Sequence, residues 1–356
     1  MKYSRHSRHH TSRHRHRESK RRDVLKKQIF AGLAVVLIFL GVAGIWIYQT
    51  QKIQKSRDVR AGSGMAEDAG SSYRNITYKG KEYQYNSLIT TVLYAGVDSE
   101  GKMQEYARYA AAPNADSMAL LVLDKKHGKI SVIQLSRDTM TEVRRYTMNG
   151  TDRGTYLTHL GYAYTYGDGG EVSCENLREA VSGLFRGIPV NEYAVTNLSS
   201  IQYLNSLAGG VTVTVPNDSL SAKYPEMAEG TEVILDETNL ETFLRYRDTS
   251  EHYSNQPRLE RQKTYLTAYI QKVQTILPED PEGMWNKLED IEDYVQTSVT
   301  KNKYLKFVNL LEQTELTEES FYELKGEHRT GAKHDEFYAD EEALMELIIE
   351  LFYLEV

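Results

Sequence analysis

Cysteine is almost absent from this chain: Cys174 is the only one in 356 residues. A lone cysteine closes no intrachain disulfide, so a small disulfide-stapled secreted scaffold is excluded. Cys174 reads first as a small core hydrophobe and only second as a thiol nucleophile. Several catalytic signatures are missing too. There is no GxxxxGK[ST], HExxH, CxxC or GxSxG. These absences set aside the P-loop, zinc-protease, dithiol and nucleophile-elbow chemistries, each of which needs its own spacing. No internal repeat is visible, and long hydrophobic runs are lacking except for one.

That run is Ile29 to Tyr48, 20 residues without a charge. At about 1.5 Å per residue a helix of this length reaches about 30 Å, the thickness of a bilayer's hydrocarbon core. Lys26 and Lys27 precede it, and Trp46 and Tyr48 sit at the far end, where amphipathic rings favour the interface. The basic side faces the cytoplasm, so the remainder is expected outside. A cleaved signal would have a shorter apolar core followed by small residues. Here bulky IWIY follows Ala43 and Gly44, so the run reads as a retained anchor.

Charge is divided unevenly. Residues 1–27 carry 11 Lys and Arg against Glu18 and Asp23, although the whole chain is −7. A basic tail on an acidic body suggests two compartments. The tail's HSRHHTSRHRHRES run reads as a polybasic segment that holds topology and touches anionic lipid, ahead of metal or nucleic-acid binding. The expected organisation is a cytoplasmic tail over 1–28, a transmembrane helix over 29–48, an extracytoplasmic linker over 49–76 and a globular domain over 77–356. The linker contains the flexible run AGSGMAEDAGSS.

The globular part mixes strand and helix patterns, which predicts an α/β fold. Ile89–Val97 and Ser117–Leu123 are apolar runs of strand length, and Lys129–Leu135 follows after a turn. Ser173 is expected to cap a helix that Gly187 ends. Leu198–Leu207 reads as a short helix, VTVTV before Pro216 as a strand, and Arg258 to Ile276 as a long helix. Residues 280–325 look helical and acidic, and Glu341–Leu354 is amphipathic at helical spacing.

Two features carry chemistry. The first is a set of arginines in an acidic domain. Arg245 and Arg247 share a face if FLRYRD is extended. Arg258, Arg261 and Gln262 share a helix face at i, i+3 and i+4. Guanidinium forks suit phosphate oxygens, while pairing with local carboxylates such as Asp248, Glu251 and Glu260 is the plainer account. The second feature is acidic: Asp98 after one strand, Asp116 before another, and Arg137-Asp138 after a third. Carboxylates at a sheet's mouth are ligands for Mg²⁺, a hard cation that bridges to phosphate. Each alone is more often a turn former. Together with the arginines they form equipment for a pyrophosphate. His159 reads first as a structural or substrate-loop residue and only second as a base; the 26 tyrosines could offer faces for sugar stacking, but core and surface packing explains most of them.

The ordered motifs LYAGVD (93–98), ADSMALLVL (115–123), IQLSRDT (133–139), THLGYAYTYGDGG (158–170), GGVTVTVP (209–216), FLRYRD (243–248) and RLERQ (258–262) resemble the LytR-CpsA-Psr family of bacterial cell-envelope proteins. Together they span roughly residues 88–275. The resemblance implies a mixed central sheet flanked by helices and a deep apolar pocket for a polyprenyl chain. It implies a phosphotransferase that moves a glycopolymer from a polyprenyl-pyrophosphate carrier to peptidoglycan, with Mg²⁺ as cofactor, in the bacterial cell membrane. By motif, Asp98 and Asp116 match the metal carboxylates. Arg137, Arg245, Arg247, Arg258 and Gln262 match residues that hold the pyrophosphate or support the pocket, and Arg261 matches the other basic position. Of these, Asp98, Arg137, Arg245 and Arg247 are the expected catalytic set, and Asp138 is expected to support it. Two positions depart from the pattern. Ser99-Glu100 stand where a basic residue often follows GVD, which leaves Arg108 to be considered, and Ser117 replaces a threonine. A polyprenyl-pyrophosphate hydrolase and a non-catalytic membrane regulator or attenuator are the rival readings.

Overall fold

A computed structural model of the chain describes residues 73–246, 255–276, 279–314, 318–331 and 334–356. The expected tail, the expected span at 29–48, most of the expected linker, and Arg247 lie outside the described residues. Among the described residues no helix is long and apolar enough to cross a membrane.

The elements run β1 (Asn75–Tyr78), β2 (Lys81–Tyr85), β3 (Ile89–Val97), β4 (Ala115–Asp124), β5 (Lys129–Leu135), β6 (Met140–Tyr146) and β7 (Asp152–His159). Next come α1 (Tyr162–Thr165), α2 (Glu171–Leu184), β8 (Glu192–Asn197), α3 (Leu198–Leu207), β9 (Val211–Thr214), β10 (Glu232–Leu235) and α4 (Leu240–Arg245). The remainder is α5 (Asn255–Ile276), α6 (Pro281–Glu289), β11 (Val295–Thr297), α7 (Lys301–Glu312), β12 (Phe321–Glu323), β13 (Gly326–Thr330), β14 (Asp335–Ala339), α8 (Glu341–Phe352) and β15 (Tyr353–Glu355).

A six-stranded mixed sheet in the order β11-β8-β3-β4-β5-β12 forms the centre. β3 pairs with β8 in parallel and with β4 antiparallel, so its carboxyl end meets the start of β4 beside the carboxyl end of β8. Side chains alternate across β3. Val92 and Tyr94 face one core with Leu204, Phe243, Tyr265, Tyr269 and Trp285 from the α3–α7 layer. Leu93, Ala95 and Val97 face the other, with Ala163, Leu177, Val181, Ile348 and Phe352 from α1, α2 and α8. Burial on both faces explains why these strands read as continuous apolar runs.

Several local expectations are corrected. Ser173 does not cap α2. The helix starts earlier, at Glu171 after Gly170, and the Ser173 hydroxyl accepts from the Gly169 amide at 2.7 Å from inside the first turn. The stretch 280–325 is not wholly helical, because β11 and β12 within it close the two edges of the central sheet. Asn75 and Ile76, placed in the linker, belong to β1. β2 then pairs with both β1 and β15, so the first and last described strands join one sheet.

Candidate active site

The carboxyl end of β3 opens onto a cavity of about 710 Å³. The register between β3 and β4 builds its mouth. Gly96 pairs with Ser117 and Val97 with Ala115, which leaves Asp116 as the extra residue of a β-bulge. A bulge breaks the two-residue alternation and re-aims a side chain. Asp116 and Ser117 are accordingly both exposed, whereas Ala115 and Met118 are buried. Asp98 follows β3 directly, with its amide bound to the Asn114 carbonyl at 3.1 Å. Asp98, Asp116 and Ser117 therefore line the same opening.

Gly161 locks this corner. Its amide donates to the Arg137 carbonyl at 3.0 Å, and its carbonyl accepts from the Ala115 amide at 3.1 Å. A Cβ there would lie 2.8 Å from the Ala115 carbonyl oxygen and 3.1 Å from the Arg137 Cβ. Only glycine lets the two segments approach so closely. Held this way, Arg137 donates from Nη1 to Asp116 Oδ1 at 2.7 Å, and its Nε lies 3.6 Å from Asp138. The Asp116 carboxylate raises the Arg137 guanidinium above its ordinary value. Arg137 reaches the opening through Asp116 and is not itself a lining residue.

Arg245 stands on the other side of the mouth. FLRYRD is not extended up to this point, because Arg245 closes helix α4 and Tyr246 is its carboxyl cap. The shared extended face expected for Arg245 and Arg247 is thus replaced by a helix end, and Arg247 falls outside the described residues. Arg245 Nη1 donates to Glu100 at 2.7 Å and to Glu241, one turn earlier, at 2.9 Å. These carboxylates, Glu100 foremost, raise its pKa. Glu100, the departure from the motif, is therefore a partner of the arginine. Arg108 is exposed and does not line the cavity.

Arg258, Arg261 and Gln262 lie in α5. Arg261 is 1% exposed. Its Nε donates to the Phe243 carbonyl at 2.7 Å, and its two terminal nitrogens bind Ser219 Oγ and the Tyr246 carbonyl. Burial, reinforced by nearby Arg258, lowers its pKa. In this arrangement its donors tie the end of α4 to α5. The Arg258 Nε is buried and has no hydrogen-bond partner among the described residues. Position 262 follows Arg258 by one turn, and its side chain is outside what is described. His159 sits apart, its Nε2 3.0 Å from the Asp335 carbonyl.

Behind the mouth the walls become apolar: Leu198, Ile201, Leu204, Leu240, Leu244, Tyr265 and Tyr269 line the interior. The phenols of Tyr265 and Tyr269 turn to Asn205 and the Leu204 carbonyl, each at 3.3 Å. Burial pushes both up, and it pushes the Tyr94 phenol up to about 12. The rings thus present neutral, largely apolar surface. Composition alone assigns most of the tyrosines to packing and singles out neither Tyr265 nor Tyr269. The signal was present, since Arg258, Tyr265 and Tyr269 follow a 3.6-residue period along α5.

Among the described lining residues the mouth holds five carboxylates (Asp98, Glu100, Asp116, Glu237 and Glu241) and one guanidinium, Arg245. No group of three or more His, Cys, Asp and Glu side chains is placed to hold a metal among the described residues. The donor set of Asp98 with the Asp116 oxygen not bound to Arg137 fits Mg²⁺, which commonly takes one or two carboxylates and fills its octahedron with water and phosphate oxygens.

A model of the LytR_cpsA_psr family matches residues 52–351. The polyisoprenyl-teichoic acid–peptidoglycan teichoic acid transferase TagU of Bacillus cereus is 25% identical over 229 residues, 63% of this chain and 66% of that protein. Biofilm regulatory protein A of Streptococcus mutans is 25% identical over 268 residues, 71% of this chain and 61% of that protein. The chain thus spans just under two thirds of the length of these relatives. The crystal structure of Bacillus subtilis TagV superposes with a TM-score of 0.51 at 20% identity, covering 74% of this chain and 95% of that one. A Streptococcus agalactiae protein gives 0.53 at 20% identity, covering 74% and 86%. Both share the fold.

Proposed function

Since the chain belongs to the LytR-CpsA-Psr family, we propose that it transfers a glycopolymer from a polyprenyl-pyrophosphate carrier to peptidoglycan. One observation carries this reading: a single cavity joins an apolar interior to a mouth where Asp98, Asp116 and Arg245 meet. That polarity matches a ligand with a hydrocarbon chain at one end and a pyrophosphate at the other. The names of TagU and TagV, as teichoic acid transferases, point the same way.

In this reading the prenyl chain lies along Leu204, Leu240, Leu244, Tyr265 and Tyr269. Arg245 exchanges its contacts with Glu100 and Glu241 for pyrophosphate oxygens, and Arg137 orients Asp116. Arg261 acts indirectly by fixing the end of α4. Asp98 and Asp116 would hold Mg²⁺, which supplies charge neutralisation on the pyrophosphate when bound. A muramic-acid hydroxyl attacks the sugar-proximal phosphorus. The new phosphodiester bond forms as the bond to the distal phosphate breaks, and polyprenyl phosphate departs. Asp98 has no ion-pair partner among the described residues and accepts the hydroxyl proton. The expected anchor at 29–48 would keep the cavity near the lipid, in the bacterial cell membrane.

The test incubates the full chain in detergent with a synthetic polyprenyl-pyrophosphate oligosaccharide, peptidoglycan oligomers and Mg²⁺. Mass spectrometry should detect joined product, which Asp98→Ala and Arg245→Ala abolish. Released sugar phosphate without joining would assign a hydrolase. Binding without turnover would assign a regulator, the class that the name of the S. mutans relative describes.

A further inference from the structure

The mouth carries an aromatic platform that the pyrophosphate chemistry leaves unused. Tyr203 projects from α3, and Tyr294 ends the short 3-10 turn Glu292–Tyr294 before β11. Their ring centroids lie 4.5 Å apart with 33° between the planes. The hydroxyl of Tyr203 donates to that of Tyr294 at 2.9 Å, a bond that raises the Tyr294 phenol. Both rings line the cavity mouth, yet Tyr203 is 41% exposed.

The platform is braced to the segment that follows Asp98. The Met103 amide donates to the Asp293 carbonyl at 2.6 Å, and Lys102 pairs with the Asp293 side chain at 2.5 Å. The Leu198 amide at the start of α3 donates to the Ser99 carbonyl at 3.0 Å. The rings are thus fixed relative to the carboxylate corner. Hydrogen-bonding groups rim them, with Gln202 and Ser206 in the cavity lining and Lys102 beside.

A prenyl chain gains most where water is excluded, which is the leucine- and tyrosine-lined interior and not a half-open ring. A pyranose has the opposite needs. Its C–H face lies flat on an aromatic ring while its equatorial hydroxyls reach polar groups or water. The geometry points to Tyr203 and Tyr294 as a subsite for a sugar ring of the donor glycan, next to the pyrophosphate. This inference rests on the proposed function and adds to it a residue pair that selects the glycan.

Calorimetric titration of the full chain in detergent tests it, with two probes: polyprenyl pyrophosphate bearing a disaccharide, and the same lipid pyrophosphate without sugar. Tyr203→Ala should raise Kd for the sugar-bearing probe by about three- to tenfold, the size of one aromatic contact. The sugar-free probe should bind as before. Tyr203→Phe keeps the ring and should stay near wild type with both. Equal weakening with both probes would place the prenyl chain on the ring and overturn the subsite, as would no change with the sugar-bearing probe. Failure of the unaltered protein to bind even the sugar-free probe would instead remove the proposed function, and the subsite with it.

Discussion

Replacing Arg261 by Met should destabilise the fold by about 3 kcal/mol, and the structure shows where that figure comes from. The guanidinium is 1% exposed and serves the Phe243 carbonyl, the Tyr246 carbonyl and the Ser219 hydroxyl. Methionine fills most of the volume but donates nothing, so a buried carbonyl at Phe243 and a part-buried one at Tyr246 lose a charged donor. Each orphaned group costs about 1–3 kcal/mol. Against this, removing a cation already disfavoured by burial and by Arg258 returns part of the loss. The balance is about 3 kcal/mol, a factor of about 150 in the folding equilibrium. With a urea m-value of about 3 kcal/mol/M the midpoint falls by about 1 M. Arg261→Lys should rescue little, because a single ammonium cannot span three acceptors on separate segments. Equilibrium urea unfolding followed by tyrosine and tryptophan fluorescence measures both variants. A midpoint within about 0.2 M of wild type, combined with lost donor binding, would refute the reasoning and return Arg261 to direct contact with pyrophosphate.

Three further outcomes are expected. Gly161→Ala places a Cβ 2.8 Å from the Ala115 carbonyl oxygen, so turnover should fall by tenfold or more while prenyl binding changes little; unaltered kcat would show that the Asp116–Arg137 corner does not depend on this contact. Glu100→Gln frees Arg245 from its carboxylate at 2.7 Å and should tighten polyprenyl-pyrophosphate binding by about two- to fivefold, within the range of exposed ion pairs; weaker binding in calorimetry would make Glu100 a ligand-side group. Asp124 offers a pH test. Burial alone would raise its carboxyl, but His127 at 2.6 Å and the Lys126 and His127 amides outweigh burial and hold it below 3.8. A depressed carboxylate stabilises above its unfolded value, and that gain is lost as pH falls through the folded one. The Tm gap between wild type and Asp124→Asn should therefore be widest near neutral pH and shrink below about pH 4; a gap constant from pH 7 to 3 would contradict it.

The strands were legible because their burial is two-sided. Ile89–Val97 and Lys129–Leu135 occur with the bounds their apolar runs suggested. Short strands were not. β11 and β12 have three residues each, too few to show a period, and they are strands only because β8 and β5 offer them free edges. Ser173 misled for a related reason. A serine near a helix start is a fair cap by propensity, but the helix is capped three residues earlier, at Gly170, where residues 167–170 approach Ser173 so tightly that a Cβ on Gly167 would overlap its Oγ at 2.4 Å.

At the site, residue type was easier to read than residue duty. Asp98, Asp116 and Arg245 were singled out by position, and all three line one mouth. Nothing in ADSMALLVL announces a bulge, however, and without the extra residue at Asp116 the alternation would point either its carboxylate or the Ser117 hydroxyl away from that mouth. Arg261 is the sharper case. Arg261, Tyr265, Tyr269 and Val273 form one buried stripe at four-residue spacing, so Arg261 occupies a place where a hydrophobe belongs. That period distinguishes a buried tie from a free donor. Counting arginines cannot, because it does not show that three of the five N–H donors of Arg261 already go to Phe243, Ser219 and Tyr246. Arg258 keeps a buried Nε without a hydrogen-bond partner among the described residues. The net acidity of the mouth adds a second constraint. With five lining carboxylates around Arg245, an incoming pyrophosphate meets repulsion unless cations accompany it or Arg245 changes partners, so donor affinity should depend on which carboxylates remain as much as on which arginines are present.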